Sequence, residues 1–379
     1  MRVLFDNQCF DMQRWGGISK YHTQLLKTFL KKPEQIEIKV GVVSNRNEYL
    51  ASLNPLKYKI TEKRKIPYER SVSKILYSVF RSSKMVFPRL KNKYYSIDEL
   101  CSGNFDIFHP TYYDTEFIDY YNGVFVLTLH DFTPELFPDM LKRQNTLIDA
   151  KKLLAQRARR VIAISESTKN DAIKILNLNP DKIDVIYHGF ETPNDNDIIV
   201  KGLPDKYVLF VGNREHYKNF ALFLSAMEKI IQKFPDLYVL CTGKAFSTEE
   251  SIMITTLKLS NRVLCRKFME EELSFVYRNA KVFVFPSRYE GFGFPVLESF
   301  NAGCPTALSD IPVFHEIAGN AAQYFDPKDR ESIQYAIEKI LSDRILQQQC
   351  IDLGKKRLSQ YSWEKTAQNT LDCYQRALA

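Results

Sequence analysis

Two carboxylates, Glu290 and Glu298, stand eight positions apart in the segment Pro286-Ser-Arg-Tyr-Glu-Gly-Phe-Gly-Phe-Pro-Val-Leu-Glu298. Between them lies the glycine-rich run Gly291-Phe292-Gly293-Phe294, and ahead of them the wholly apolar Val282-Phe-Val-Phe285. A buried strand, a tight turn and a helix form the unit by which a parallel α/β sheet offers backbone N–H groups to a ligand at its carboxyl edge. Glycines let the main chain approach that ligand closely. Pro295 suits the first turn of the helix, where its missing N–H costs nothing. Glu298 then projects about two helical turns beyond Glu290. Two acids at different depths of one cleft can hold two parts of one extended ligand.

A second segment, Phe210-Val-Gly-Asn-Arg-Glu-His-Tyr-Lys-Asn-Phe220, also follows an apolar strand and opens a helix. Its Gly212 turn, the N–H groups beyond it and the helix dipole favour an anion, and Arg214 and Lys218 add formal positive charge. A third, Val124-Phe-Val-Leu-Thr-Leu-His130-Asp131, ends a buried strand on an imidazole, which places His130 at the cleft. A fourth, Trp15-Gly16-Gly17-Ile-Ser-Lys-Tyr21, puts a glycine pair shortly after the first strand and before a helix.

The first segment, with its flanking Pro286-Ser287 and Gly303-Cys304-Pro305, resembles the E-x7-E motif of the retaining family 4 glycosyltransferases with the GT-B fold, and looks most like the mannosyltransferase-like group. The resemblance implies that Glu290 sits near the donor's sugar and phosphate, that Glu298 binds the nucleotide ribose, and that the turn Gly291–Phe294 meets the sugar hydroxyls. It implies that Lys218 and a second cation grip the diphosphate. In the family that partner usually stands just before the Lys; here Tyr217 is in that place and the role falls to Arg214, three residues earlier. Fixed cations aimed at a leaving diphosphate stabilise the charge that develops as the glycosidic bond breaks. By the same resemblance His130 contacts donor sugar and phosphate, and Gly16 and Gly17 lie beside the donor phosphate and the acceptor.

The loop that reads the base corresponds to Arg266–Met269, with Phe268 in it; Arg266 replaces a common Gly, which leaves the nucleobase open. His109, Tyr112 and Tyr113 either line the acceptor side or pack. Asp131 either accepts a sugar hydroxyl or caps its loop. No metal and no cofactor are expected beyond the nucleotide-sugar co-substrate, because the one D-x-D, Asp195 to Asp197, falls in a linker. The expected partners are a nucleotide sugar, GDP-mannose first and a UDP-sugar next, and a glycan acceptor, lipid-linked, in cell-surface polysaccharide or lipopolysaccharide synthesis. A nucleotide-sugar epimerase or a non-catalytic nucleotide-sugar-binding regulator is the alternative.

Those residues need a scaffold, and the chain supplies one. Short apolar runs alternate with amphipathic stretches, the pattern of parallel sheets wound with helices. Strands are predicted at residues 2–6, 36–43, 107–109, 124–130, 161–164 and 184–187, then at 207–211, 238–242, 262–264, 282–285, 306–309 and 322–325. The polar, aperiodic Glu191-Thr-Pro-Asn-Asp-Asn-Asp197 divides the two sets. The expected fold class is therefore α/β, with two doubly wound domains. The division is 1–190 as an acceptor domain, 191–206 as linker, 207–360 as the nucleotide-sugar domain, and a helix at 361–379 that the resemblance returns to the first domain.

Length bounds the rest. A chain of 379 residues suits two domains, and 45% hydrophobic with 26% charged residues is a globular composition. No apolar run reaches the roughly 20 residues that span a bilayer. The amino terminus reads as a strand rather than a signal peptide. Seven scattered cysteines without a C-x-x-C suggest reduced thiols and a cytoplasmic protein. The net charge of +8 is concentrated: Pro55 to Tyr95 holds twelve Lys or Arg against two Glu. Within it Val72, Ile75, Leu76, Val79 and Phe80 repeat as one face of a basic amphipathic helix. Such a helix either lies on the anionic inner leaflet or packs as an ordinary core helix with a basic rim. No recognised motif points to nucleic acid.

Overall fold

A computed structural model describes residues 1–53, 88–138, 145–193 and 198–379. Two parallel sheets dominate it. In the first domain the strands are β1 (Arg2–Phe5), β2 (Glu37–Val40), β3 (Ile107–His109), β4 (Val126–Leu129), β5 (Arg160–Ala163) and β6 (Ile183–Val185). They run in the orders β2-β1-β3 and β4-β5-β6, and a parallel bridge between Phe108 and Phe125 joins the two halves. In the second domain β7 (Tyr207–Phe210), β8 (Tyr238–Thr242), β9 (Val263–Arg266), β10 (Val282–Phe285), β11 (Thr306–Ser309) and β12 (Gln323–Phe325) form one sheet ordered β12-β11-β10-β7-β8-β9.

Burial on both faces explains why these strands read as near-continuous apolar runs. All four residues of β4, β7, β10 and β11 are buried. The strand expected at 36–43 stops at Val40, because the Val42 N–H turns back onto the Val40 carbonyl and Gly41 donates to Phe5. Helices at Thr248–Thr256, Pro312–Ala318 and Arg344–Leu358 were not legible as amphipathic periods. The first is set by a capping box, Ser247 with Glu250, and the last buries only Cys350 and Gly354.

Strand order changes direction between β7 and β10, and a parallel sheet opens its ligand crevice at that point. The segments that follow these two strands are those carrying Lys218 and Glu290. The turn after β10 enters the helix Phe294–Asn301 with Pro295 in its first turn. Gly293 precedes it at φ +128°, a conformation that a side chain would strain.

The last helix, Trp363–Leu378, returns to the first domain, as the family resemblance implied. Ser362 caps it by accepting from the Lys365 N–H at 3.2 Å. Its Trp363, Ala367, Leu371, Tyr374 and Ala377 enter the core formed with Val3, Phe5, Leu25 and Ile162. Polar contacts fix its register: Thr366 donates to the Tyr187 carbonyl at 2.8 Å, and Arg376 pairs with Asp184 at 2.8 Å. A Cβ on Gly189 would overlap the backbone at Ser362 and Trp363, so only glycine admits the helix this close.

The amphipathic face expected at Val72–Phe80 and the D-x-D at Asp195 and Asp197 lie outside the described residues. The basic segment enters the described structure at the helix Pro88–Ser102. Asn92 ties that helix down, its Oδ1 accepting from the N–H groups of Val43 and Ser44 at 2.9 and 2.8 Å. No described helix is long and apolar enough to cross a membrane.

Gly189→Ala is expected to lower unfolding stability by about 1–3 kcal/mol, the usual cost of overpacking, in urea titrations followed by tryptophan fluorescence. Gly17→Ala, where a Cβ meets nothing within 4 Å, is expected to leave the transition unchanged or slightly raised.

Candidate functional site

The turn after β10 carries Glu290, whose Oε1 accepts from the Lys218 ammonium at 2.6 Å. Their side chains are only 13% and 14% exposed, so this ion pair sits in the protein rather than on it. Lys218 ends a short 3-10 turn, His216–Lys218, and Asn219 follows at φ +60° to start the helix Phe220–Lys233. The Asn219 amide donates to the Pro327 carbonyl at 2.6 Å, which locks that loop. The ammonium also lies 5.2 Å from the centre of the Phe285 ring at the end of β10.

The first domain positions the Glu290 turn from both sides. The Gly291 carbonyl accepts from Ser165 Oγ at 2.8 Å and from Thr168 Oγ1 at 3.2 Å, at the start of the helix Glu166–Leu176. Tyr289 donates to Asp171 at 2.8 Å while its hydroxyl accepts from the Phe132 N–H at 2.9 Å. A Cβ at Gly291 would overlap the carbonyl oxygen of His130, so the strand end of the first domain touches the turn directly. Nearby, Glu316 accepts from the N–H groups of Glu166 and Ser167 at 2.6 and 3.1 Å, capping a helix of the other domain. Sequence reading singled out none of Ser165, Tyr289, Asp171 and Glu316 as site-building; Tyr289, beside Glu290, carried the only local signal.

His130 directly follows β4, under this contact. It is 6% exposed, its N–H donates to the Tyr113 hydroxyl at 3.1 Å, and its Nε2 has no protein partner. Burial lowers its pKa to about 3, with the Lys151 ammonium adding to the effect, so the ring is neutral. It joins a buried cluster: His22 lies 5.8 Å from it between ring centres and 5.5 Å from His109, and Tyr21 packs 5.5 Å from His130. His188 completes the group, stacked on Phe294 at 4.8 Å. Burial, with neighbouring imidazoles, depresses His22, His109 and His188 as well.

Glu298 lies deeper. Its Oε2 accepts from Tyr277 at 3.0 Å, and Oε1 is 3.8 Å from the Lys20 ammonium of the first domain. It lines a 530 Å³ cavity with Trp15, Lys20, Tyr49, Glu270 and Phe294, and so opens to both domains. Gly16 caps and Gly17 begins the helix Gly17–Phe29 that borders this cavity. Gly212 turns at φ +116° after β7, its N–H donating to Thr242 at 3.2 Å.

The structure therefore gathers Glu290, Lys218, His130, Gly291 and Gly293 at one seam, with Glu298 in the adjoining cavity. It sends other expected residues elsewhere. Arg214 does not face Glu290: its guanidinium pairs with Glu250 at 2.7 Å, donates to the carbonyls of Lys244 and Ala245, and lies over Phe246 at 4.9 Å. His109 does not line an acceptor surface; it is fully buried, with Nδ1 2.6 Å from the Tyr374 hydroxyl and Nε2 2.8 Å from Thr128. Phe292 is a core residue, packed on His188 and Tyr361. Phe268 is half-buried beneath the Arg266 guanidinium at 5.1 Å. Asp131 stays at the seam, its side chain beside the Gly291 turn, and caps its loop by accepting from the Thr133 N–H at 3.1 Å. Tyr112 is half-buried at a separate 220 Å³ cavity with Asp6, Asp11, Arg89 and Lys93, while Tyr113 is buried beneath His130. Among the described residues no cluster of three or more His, Cys, Asp or Glu is arranged to hold a metal ion.

Comparison with known proteins agrees with this architecture. The model of Glycosyltransferase Family 4 matches residues 16–193, and that of Glycosyl transferases group 1 matches 191–357. The O-antigen chain mannosyltransferase RfbU of Salmonella typhimurium is 32% identical over 218 residues, 56% of this chain and 60% of that one. O-antigen chain mannosyltransferase B of Escherichia coli is 25% identical over 66% of this chain and 69% of its own length. Among solved structures, sucrose-phosphate synthase from Thermosynechococcus elongatus superposes with a TM-score of 0.71 at 16% identity, covering 99% of this chain and 98% of that one. Anabaena HepE in complex with UDP and glucose gives 0.69 at 16% identity, over 98% of each chain. Such low identities establish the shared fold alone.

Two outcomes follow from the seam and the imidazoles. Gly291→Ala is expected to cut turnover by about a hundredfold or more, since displacing a positioned group by about 1 Å costs that much; circular dichroism should stay unchanged. The four buried imidazoles recover an ordinary proton affinity on unfolding, so the unfolded chain binds protons that the folded chain refuses. Stability is therefore expected to fall as pH drops below about 6.5, by up to about 1.4 kcal/mol per pH unit for each imidazole. Asp6 acts in the opposite sense between about 6 and 3.8, because burial raises its carboxyl to about 6. Urea unfolding at about pH 7 and pH 5 measures the net slope, and His22→Gln should reduce it by about one proton.

Proposed function

The chain belongs to the family 4 glycosyltransferases with the GT-B fold, and we propose that it moves a sugar from a nucleotide-diphosphate sugar to a glycan acceptor with retention of configuration. The observation that carries this reading is the buried Lys218–Glu290 pair at the strand-order reversal of the second sheet, closed over by His130 of the first domain. A diphosphate placed there gains negative charge as its bond to the anomeric carbon breaks. Lys218 and the N-terminus of the helix Phe220–Lys233 are fixed positive ends aimed at that charge, in a site where burial weakens screening.

Glu290 acts as a positioning group. Its Oε1 is already engaged by an ammonium, which makes it a poor free nucleophile and a good acceptor for donor hydroxyls. The neutral imidazole of His130, with Nε2 unpartnered, offers a donor or acceptor to the sugar or phosphate. The acceptor hydroxyl attacks the anomeric carbon from the face that the phosphate leaves. Its oxygen forms the new bond, the old carbon–oxygen bond breaks, and the departing phosphate oxygen takes the proton. Charge stabilisation by Lys218 needs no bound cation. Arg214 holds the loop at residues 244–246 and lines a cavity with His216, Asn219 and Phe220 at the start of that helix.

The mannosyltransferase relatives make GDP-mannose the first donor to test, and a UDP-sugar the second. Their O-antigen setting, with the basic segment 55–95, supports a lipid-linked acceptor at the cytoplasmic face of the membrane.

Purified protein incubated with GDP-mannose, UDP-glucose and UDP-N-acetylglucosamine, with and without membrane lipid extract, is expected to release nucleoside diphosphate from one donor, faster with lipid. Glu290→Gln and Lys218→Met should each lower that release by about a hundredfold or more. Chelation by EDTA should leave it unchanged. Full activity in Glu290→Gln, or abolition by EDTA, contradicts this mechanism.

A further inference from the structure

We propose that Lys20 is a positioning residue of the donor site, which draws the first domain onto the ribose by holding Glu298 and Glu270 together. The proposal rests on the donor reading above and assigns a role to a first-domain side chain that the two motifs of the second domain do not include.

Lys20 lies about one turn into the helix Gly17–Phe29 and lines the 530 Å³ cavity together with Glu298. Its ammonium is 2.5 Å from Glu270 Oε1 and 3.8 Å from Glu298 Oε1, and its side chain is 22% exposed. Burial alone would pull its proton affinity down, but Glu298 and Glu270 outweigh that and hold it above the ordinary lysine value. Lys20 is thus a fixed cation in contact with the other domain. Its ring neighbour is Phe294, 5.9 Å away, in the turn that carries the E-x7-E spacing.

The division of labour at Glu298 is informative. Oε2 is spent on the Tyr277 hydroxyl at 3.0 Å. Oε1 is near Lys20 but beyond hydrogen-bond length, so it is aimed and electrostatically supported while retaining the capacity to accept. Glu270 makes the short contact and anchors the ammonium when Glu298 takes another partner. Tyr49, also of the first domain, lies against Glu270 and tightens the same corner. A vicinal diol matches this arrangement: one hydroxyl donates to Glu298 Oε1, and the neighbouring hydroxyl oxygen accepts from Lys20. A ribose has that diol and a 2′-deoxyribose does not.

Calorimetry with GDP and UDP and their 2′-deoxy forms tests the inference on the full chain. Wild-type protein should bind the better ribonucleotide at least about tenfold more tightly than its 2′-deoxy form. Lys20→Met should weaken the ribonucleotide by about tenfold while hardly affecting the 2′-deoxy form, so that the discrimination collapses. Lys20→Arg should recover part of it, and Glu270→Gln should reproduce the loss in a background that keeps the lysine. An unchanged ribo-to-deoxy ratio in Lys20→Met overturns the assignment, and equal weakening of both forms reduces Lys20 to a general structural contact and overturns it too. Failure of wild-type protein to bind either GDP or UDP defeats the donor reading itself.

Discussion

The structure turns on one carbonyl, that of Gly291. Two hydroxyls of the first domain, Ser165 and Thr168, donate to it, and the missing Cβ lets the His130 strand end lie against it. A buried carbonyl without donors would cost more than the contact gains, so the seam exists because both sides are satisfied. The turn that bears Glu290 belongs to the second domain by sequence and to both domains by bonding. The contacts that dock the two domains therefore fall on the residue next to Glu290, while Lys218 reaches Glu290 from within the second domain.

Charge in the cleft is paired in advance. Lys218 holds Glu290, and Lys20 holds Glu270 with Glu298 in reach. Burying such groups carries a desolvation penalty that only good geometry and further hydrogen bonds offset. Here Tyr277 provides one such bond, and the imidazoles beneath add no charge because burial keeps them neutral. Each ammonium thus has a carboxylate in contact, Lys218 that of Glu290 and Lys20 that of Glu270.

The returning helix couples the ends of the chain. Tyr374 closes on His109, and His109 on Thr128 in β4, two positions before His130. The tail is thus packed under the strand that meets the Glu290 turn. His109 illustrates how position along a strand misleads: it ends β3 and His130 directly follows β4, yet one ring is sealed by two hydrogen bonds and the other keeps a nitrogen unpartnered.

Local rules were enough for much of this molecule. Apolar runs bounded by glycine, proline and polar residues marked β3, β8, β10 and β11 at their observed limits, because a strand buried on both faces has no polar face to blur it. The E-x7-E spacing and the Gly212 to Lys218 segment marked the turns at the strand-order reversal, because a strand, a tight turn and a helix N-terminus are all local features. Tertiary structure decided what those residues face. Arg214 and Lys218 are alike on paper, but Glu250 and Phe246 captured one while Glu290 captured the other. Phe292 and Phe294 alternate in one motif, yet the first packs into the core beside Tyr361 and the second lines the cavity. Lys20 and Glu298, and Ser165 and Gly291, are separated by most of a domain or more in sequence. Their pairing needs two domains docked at one distance, and no periodicity or spacing along the chain carries that information.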